Sequence, residues 1–260
     1  MPPPSRTRYA RLGSSHVAYL VFGDGPPDLL FLLGLATHLE AAWDEPSLAR
    51  YLRRLGSFAR VAMLDFRGSG LSDPLTDAVT LEALVDDLVA VVTAAGLRRP
   101  IVVTCNEASL VALPFAAAHP ELIGGLVVVN GTARVAVGDD YPFGIDPADA
   151  ERYRESIERY ADDPMPLAYS APSRRRDPAF AEWATRYQRM AVSPGHVQHL
   201  TELAMATDVR DVLPVLRGPA LVLHTTGDRY LTVPHGRYLA DGIASSVRCW
   251  TCPGLTAIRW

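Results

Sequence analysis

The residues around Asn106 form the most specific chemical pattern in the chain. The β-branched run from Ile101 to Cys105 predicts a buried strand, and the alanine- and leucine-rich run from Glu107 to His119 predicts a helix. A strand that enters a helix through a one-residue turn can hold a serine nucleophile on a strained backbone, usually as Gly-x-Ser-x-Gly. Asn106 occupies the nucleophile position here. An amide cannot replace the serine, because its nitrogen lone pair is delocalised and no base can activate it.

Three further motifs have the spacing expected of one family. The helix after Asn106 ends in AAHPE (Ala117 to Glu121), the sequence DFRGSGLS (Asp65 to Ser72) follows a predicted strand, and TGDR (Thr226 to Arg229) follows a later one. Together with the turn, these motifs resemble the α/β-hydrolase family, in particular actinobacterial-type members whose turn reads about G-V-S-E-G-G. The resemblance runs along nearly the whole chain. It implies an α/β fold with a mostly parallel twisted sheet, an N-terminal hairpin, helices on both faces and a helical cap insertion.

The resemblance also implies where a Ser-Asp-His triad should lie in the chain. Asp228 matches the acid in the TGDR motif, and Asn106 stands at the serine position. The family's histidine lies in a loop reading about L-P-G-x-D-H-L-P-W, which matches Cys252 to Trp260 and places Ala257 at the histidine position. Loss of the nucleophile or of the histidine in such a triad costs on the order of 10⁶ in turnover. The family's hydrolytic mechanism therefore does not carry over to this chain.

Asn106 and its neighbours allow two interpretations. The turn requires a positive φ at its central residue, which asparagine tolerates better than most residues, so Asn106 could serve only the backbone. Alternatively, its amide could bond a substrate carbonyl or hydroxyl. In this fold the oxyanion hole consists of backbone N–H groups, here those of Glu107 and Leu35, which remain when the nucleophile is lost. The carboxylate of Glu107 could equally serve the helix dipole.

The remaining polar candidates are also open to two readings. Asp228 could cap its turn or pair with Arg229, or it could act as a lone acceptor or base in an apolar pocket, where burial would raise its pKa. His196 and His199 lie three residues apart, hence on one helical face, and could face the pocket or the solvent. They are not a metal-site pattern without further ligands.

An aromatic-rich stretch lies between the predicted core segments. Residues spaced like this along helices usually pack together, but some must line any pocket beneath a cap, which favours a hydrophobic or conjugated organic ligand. The stretch contains Tyr141, Phe143, Tyr153, Tyr160, Trp183 and Tyr187. Of these aromatic residues, Tyr141, Trp183 and Tyr187 are our candidate substrate-binding residues.

Periodicity predicts strands separated by amphipathic helices, which calls for a parallel sheet covered on both faces. We expect residues 1–132 and 215–260 to form the core and residues 133–214 a helical cap. We expect the family's C-terminal helix to be lacking, and a homodimer partner or the cap to cover the face that this would leave open. The predicted strands are Arg8–Leu12, His16–Phe22, Leu29–Leu33, Arg60–Asp65, Ile101–Cys105, Leu126–Asn130, Ala220–His224 and Val247–Cys252. The predicted helices are Pro46–Leu55, Leu81–Ala95 with Thr80 as N-cap, Glu107–His119, Pro147–Tyr160, Pro178–Met190, Pro194–Ala206 and His235–Ile243.

Composition narrows the chemistry further. The 260 residues are 48% hydrophobic with a net charge of −4, which fits a globular protein and argues against a nucleic-acid partner. All 25 basic residues are arginine, so lysine-dependent cofactor chemistry is excluded, and we expect no cofactor. No signal peptide or membrane segment is visible, and the 3 cysteines form no disulfide framework, so we expect a cytoplasmic protein.

Three smaller motifs are more simply explained as structural. Arg174-Arg175-Arg176 is expected to be a solvated loop, with an anion site as the alternative. Cys105 is expected to be a buried, inert thiol, and Cys249 and Cys252 should face opposite sides of a strand. Gly68-Ser69-Gly70 lacks the third glycine of a dinucleotide site.

Three functions remain open at this point. A non-hydrolytic, cofactor-independent enzyme, such as a cyclase, isomerase or lyase, would act on a hydrophobic metabolite by holding a reactive conformer and stabilising charge on a carbonyl oxygen. This is the interpretation that we favour. A pseudoenzyme that binds a ligand or partner and a hydrolase with a recruited nucleophile are the alternatives.

Overall fold

The fold is an eight-stranded, mostly parallel sheet with the strand order β1-β2-β4-β3-β5-β6-β7-β8. The computed structural model describes residues 6–75, 80–149, 151, 171, 173–174, 176–244 and 247–252. The antiparallel hairpin of β1 and β2 joins the sheet along β4, and every later pairing is parallel. The strands are β1 Arg8–Leu12, β2 Ser15–Phe22, β3 Asp28–Leu32, β4 Arg60–Leu64, β5 Ile101–Cys105, β6 Gly125–Val129, β7 Ala220–Thr225 and β8 Val247–Cys252.

Helices cover both faces of this sheet, as the alternating pattern predicts. One apolar cluster joins Leu30, Val102 and Val128 to helices α2, α3 and α6. A second joins Phe31 and Val103 to helices α1 and α4. The helices are α1 Pro46–Gly56, α2 Leu81–Ala94, α3 Ser109–Ala118, α4 Pro178–Ala191, α5 Pro194–Ala206 and α6 Val233–Gly242.

The boundaries follow local chemistry. Thr80 caps α2 by accepting a hydrogen bond from the Ala83 N–H, as expected. The helix after β5 begins two residues later than predicted, because Asn106–Ala108 forms a 3₁₀ turn that absorbs the sharp change of direction before α3. Most of the helix predicted from Pro147 to Tyr160, and the segment that contains Ala257, lie outside the described residues.

The fold predicts a stabilising substitution at Thr104 on β5. Thr104 is fully buried, and its hydroxyl oxygen has no hydrogen-bond partner in the described part of the chain. Because a buried hydroxyl without a partner costs free energy, Thr104→Val should raise the free energy of unfolding by about 1 kcal/mol, measured by urea denaturation. The control, Thr104→Ser, keeps the hydroxyl and loses a methyl group, so it should be less stable than the wild type. A less stable valine variant would contradict this prediction.

Candidate functional site

The Asn106 turn has the backbone geometry predicted for a nucleophile elbow. Asn106 has a φ of 53° and is 3% exposed. This positive φ lies in the left-handed region that asparagine adopts more readily than β-branched or bulky residues. The Ser109 hydroxyl contacts the Asn106 carbonyl oxygen at 2.7 Å. The strained turn is therefore intact although its central side chain is an amide.

The first candidate oxyanion donor is the Leu35 N–H, which lies in the loop that follows the neighbouring strand β3. β3 and β5 are paired in register, with Leu32 opposite Thr104, so the loops that follow them emerge side by side at the carboxyl edge of the sheet. Leu35 is buried in the first of these loops. Among the described residues, no hydrogen bond has the Leu35 N–H as its donor, although the Leu35 carbonyl accepts one from the Ser69 hydroxyl. A free, buried N–H at this edge can bind a ligand oxygen.

The DFRGSGLS loop after β4 supports the loop that contains Leu35 through hydrogen bonds. The fully buried Asp65 accepts hydrogen bonds from the Thr37 hydroxyl and from the N–H groups of Leu39 and Leu71. Gly70 has a φ of 50°, and a Cβ at this position would lie 2.1 Å from an Asp65 carboxylate oxygen, so only glycine fits. The motif thus serves as a scaffold for the Leu35 loop.

Asp228 lies in the turn after β7, at the same edge of the sheet. Its Oδ1 accepts hydrogen bonds from the N–H groups of Tyr230 and Leu231 at 2.9 and 3.0 Å, so this oxygen caps the turn, and a role of the carboxylate as acceptor or base stays a prediction. The side chain is 8% exposed. Because Ala257 lies outside the described residues, its position relative to Asp228 stays a prediction.

Two of the candidate aromatic residues, Trp183 and Tyr187, connect α4 to the segment that follows β3. On α4, the Trp183 Nε1–H donates to the Ala41 carbonyl at 3.0 Å, and the Tyr187 hydroxyl accepts from the His38 N–H at 3.3 Å. Both side chains are buried, and burial raises the pKa of Tyr187. Both side chains thus have structural partners in the segment after β3, and contact of either with a ligand stays a prediction.

Tyr141 lies in a different, fully buried cluster that sequence reasoning missed. Its hydroxyl is 2.9 Å from His235 Nδ1 and 3.0 Å from the Thr132 hydroxyl, which is itself 3.1 Å from His235 Nδ1. The Thr132 hydroxyl also donates to the Arg134 carbonyl. A threonine beside an imidazole resembles a nucleophile with its base, but all three side chains are 0% exposed and the threonine proton is already committed. No sequence signal pairs residues 103 positions apart.

The two histidines of α5 have different surroundings. The His196 ring packs on Gly68, where an added Cβ would lie 2.4 Å from Nε2, and burial lowers the pKa of His196. His199 is exposed. The lowered pKa keeps the His196 imidazole neutral near pH 7. Contact of either histidine with a ligand stays a prediction.

The smaller motifs have structural partners. Arg174 pairs with the buried Glu45 at 3.4 Å and with Asp177 at 2.8 Å, so Arg174 connects the start of α4 to the start of α1, while Arg176 is exposed. Burial raises the pKa of Cys105 to about 12, which keeps its thiol protonated and unreactive. The described residues contain no group of three or more His, Cys, Asp or Glu side chains able to hold a metal ion. None of the described helices is long and apolar enough to span a membrane.

Comparison with known proteins identifies the family. The model of the alpha/beta hydrolase fold family matches residues 27–254. The chain belongs to this family. Its hydrolase-type relatives include the proposed carbamate hydrolase RutD of Caulobacter sp. (strain K31), 40% identical over 87 residues, which are 33% of this chain and 32% of that protein.

Two further similarities extend over most of the chain. The AB hydrolase superfamily protein YisY of Bacillus subtilis (strain 168) is 24% identical over 188 residues, which are 70% of this chain and 69% of that protein. The crystal structure of the enol-lactonase from Burkholderia xenovorans LB400 superposes with a TM-score of 0.76 and 24% identity, over 94% of this chain and 91% of that one. At this identity the structural similarity shows the fold alone.

Proposed function

We propose that this protein is a non-hydrolytic, cofactor-independent enzyme that binds the carbonyl oxygen of a hydrophobic small molecule at the carboxyl edge of its sheet. One observation carries the proposal: the elbow keeps its backbone, with φ at 53°, while the buried central side chain is the amide of Asn106. A site with oriented donors and no nucleophile suits reactions in which charge develops on a carbonyl oxygen without a covalent intermediate. Cyclisations, isomerisations and eliminations are such reactions.

The nearby hydroxyls and the thiol give little support to a recruited nucleophile. The Ser109 hydroxyl contacts two backbone carbonyls and is 0% exposed. The Thr132 hydroxyl lies in the fully buried cluster with Tyr141 and His235, and Cys105 is protonated at neutral pH. A nucleophile needs access to the substrate and an available base. These three groups lack one or both.

The proposal gives each candidate residue a role. The Leu35 N–H, the Glu107 N–H and the Asn106 amide bind the carbonyl oxygen, and the insertion acts as a cap that excludes water. Trp183 and Tyr187 line the apolar wall. Asp228, or His196 in its neutral form, moves the proton when the reaction requires it. The names of two relatives, an enol-lactonase and a proposed carbamate hydrolase, refer to compounds that carry a carbonyl group, which supports a carbonyl-binding role on this scaffold.

The test measures one isomerisation that the protein should catalyse and one labelling reaction that it should not undergo. We expect the protein to move the double bond of one or more members of a panel of β,γ-unsaturated ketones and lactones into conjugation, followed by ultraviolet absorbance. Asn106→Ala should slow that reaction by about 10²-fold, because it removes a donor to the developing oxyanion. A fluorophosphonate probe should give no adduct by intact mass. Specific labelling of a serine or threonine, or no conversion of any panel member, would contradict the proposal.

A further inference from the structure

Ser109 makes an unusual set of contacts at the start of α3. Its hydroxyl oxygen lies 2.7 Å from the Asn106 carbonyl oxygen, 2.8 Å from the Thr132 carbonyl oxygen, and 2.9 Å from the Thr132 nitrogen. The residue is fully buried. The hydroxyl accepts the Thr132 N–H, and its single proton lies within reach of both carbonyl oxygens, with the shorter contact to Asn106. These contacts connect the Asn106 turn to the chain that leaves β6.

The contact with Asn106 has a geometric consequence for the next residue. The Asn106 carbonyl and the Glu107 N–H belong to the same planar trans peptide unit, so they point in opposite directions. Whatever holds the carbonyl oxygen therefore also aims the N–H. The Ser109 N–H is directed at the carbonyls of Asn106 and Glu107 as well, so the hydroxyl is the donor that a side-chain substitution can remove.

We propose that Ser109 is a positioning residue that aims the Glu107 N–H into the ligand site by holding the Asn106 carbonyl; this inference rests on the proposed function. A hydrogen bond to a peptide carbonyl also polarises its amide, so the same contact strengthens the Glu107 N–H as a donor. The ligand feature recognised is a carbonyl oxygen that carries partial or full negative charge.

The test uses para-nitrophenolate as an apolar probe with a charged oxygen. We expect the wild type to bind it with a downfield shift of the Glu107 amide proton in the NMR spectrum. Ser109→Ala should weaken binding by about tenfold, the factor that corresponds to one well-made hydrogen bond. It should also move the Glu107 resonance in the free protein. Ser109→Cys keeps the volume with a weak donor and should resemble the alanine variant.

The matched control is Thr132→Val, which deletes a buried hydroxyl in the same region. Loss of the buried hydroxyl should lower the stability of this variant. Because Ser109 contacts only the backbone of Thr132, the affinity for para-nitrophenolate should stay within about twofold of the wild type. If Ser109 had only a structural role, Ser109→Ala would likewise lose stability and keep its affinity for para-nitrophenolate. Equal affinity in the wild type and Ser109→Ala, with an unmoved Glu107 resonance, would overturn the inference. Absence of probe binding in the wild type would instead count against the proposed function.

Discussion

Arg67→Met is expected to lower the free energy of unfolding by about 3–5 kcal/mol, because it leaves the fully buried carboxylate of Asp87 without its ionic partner. Arg67 Nε donates to Asp87 Oδ1 at 2.6 Å, the Arg67 N–H donates to Oδ2 at 3.0 Å, and the guanidinium also donates to the Ala83 carbonyl. Burial raises the pKa of Asp87 even with the arginine present. Urea denaturation at neutral pH measures the loss.

The double variant Arg67→Met/Asp87→Asn is the control for this result. It contains no buried charge at the pair, and its amide oxygen is still able to accept the residue 67 N–H, so most of the lost stability should return. The loss in the single variant should also shrink as the pH falls, because Asp87 then becomes protonated. A double variant as unstable as the single one would show that the arginine acts through packing instead of charge.

The second large effect is a pH-dependent stability difference at Asp65. Burial raises the pKa of Asp65 to about 7, against three donors that favour the ionised form. An unfolded aspartate titrates at about 3.9. Between these values the unfolded chain releases its proton while the folded protein keeps it, so rising pH favours unfolding. The contribution of Asp65 is complete below about pH 4 and falls by on the order of 3–4 kcal/mol by about pH 7.

Asp65→Asn isolates this effect. The amide oxygen is able to accept from the Leu39 and Leu71 N–H groups, and the amide nitrogen is able to donate to the Thr37 hydroxyl, which suits an uncharged side chain. We expect the variant to match the wild type below about pH 4 and to become progressively more stable than the wild type as the pH rises to about 7, measured by urea denaturation across that range. Taking the difference between the two proteins cancels every other titrating group. Parallel stability curves would show that Asp65 does not titrate in this range.

Both predictions concern the loop that supports the candidate site. Ser69 in this loop donates to the Leu35 carbonyl, and Asp65 accepts from Thr37 in the Leu35 loop. Loss of the Arg67 contacts in Arg67→Met should therefore loosen the Leu35 N–H as well as the fold, whereas Asp65→Asn, which keeps its contacts, should not. Binding of para-nitrophenolate to the two variants, under conditions where both are folded, measures this difference.

The sequence by itself determined the order of strands and helices along the chain and the identity of the residue at the elbow. Hydrophobic periodicity and β-branched runs are local properties, so they predicted the eight strands within about one residue at each end. The steric demand of the turn is also local, which is why a positive φ at Asn106 followed from its place between strand and helix.

The tertiary structure decided which side chains meet. Ser109 bonds the backbone of Thr132, Thr132 approaches His235, and Tyr187 reaches His38 across 149 residues. These contacts depend on the order of strands in the sheet and on the packing of α4 against it, which no local pattern encodes. The same reason explains why Arg174, which the sequence placed in a solvated loop, pairs with a carboxylate at the start of α1. The position and backbone conformation of the elbow could therefore be predicted from the sequence. The contacts that orient its residues could be identified only from the tertiary structure.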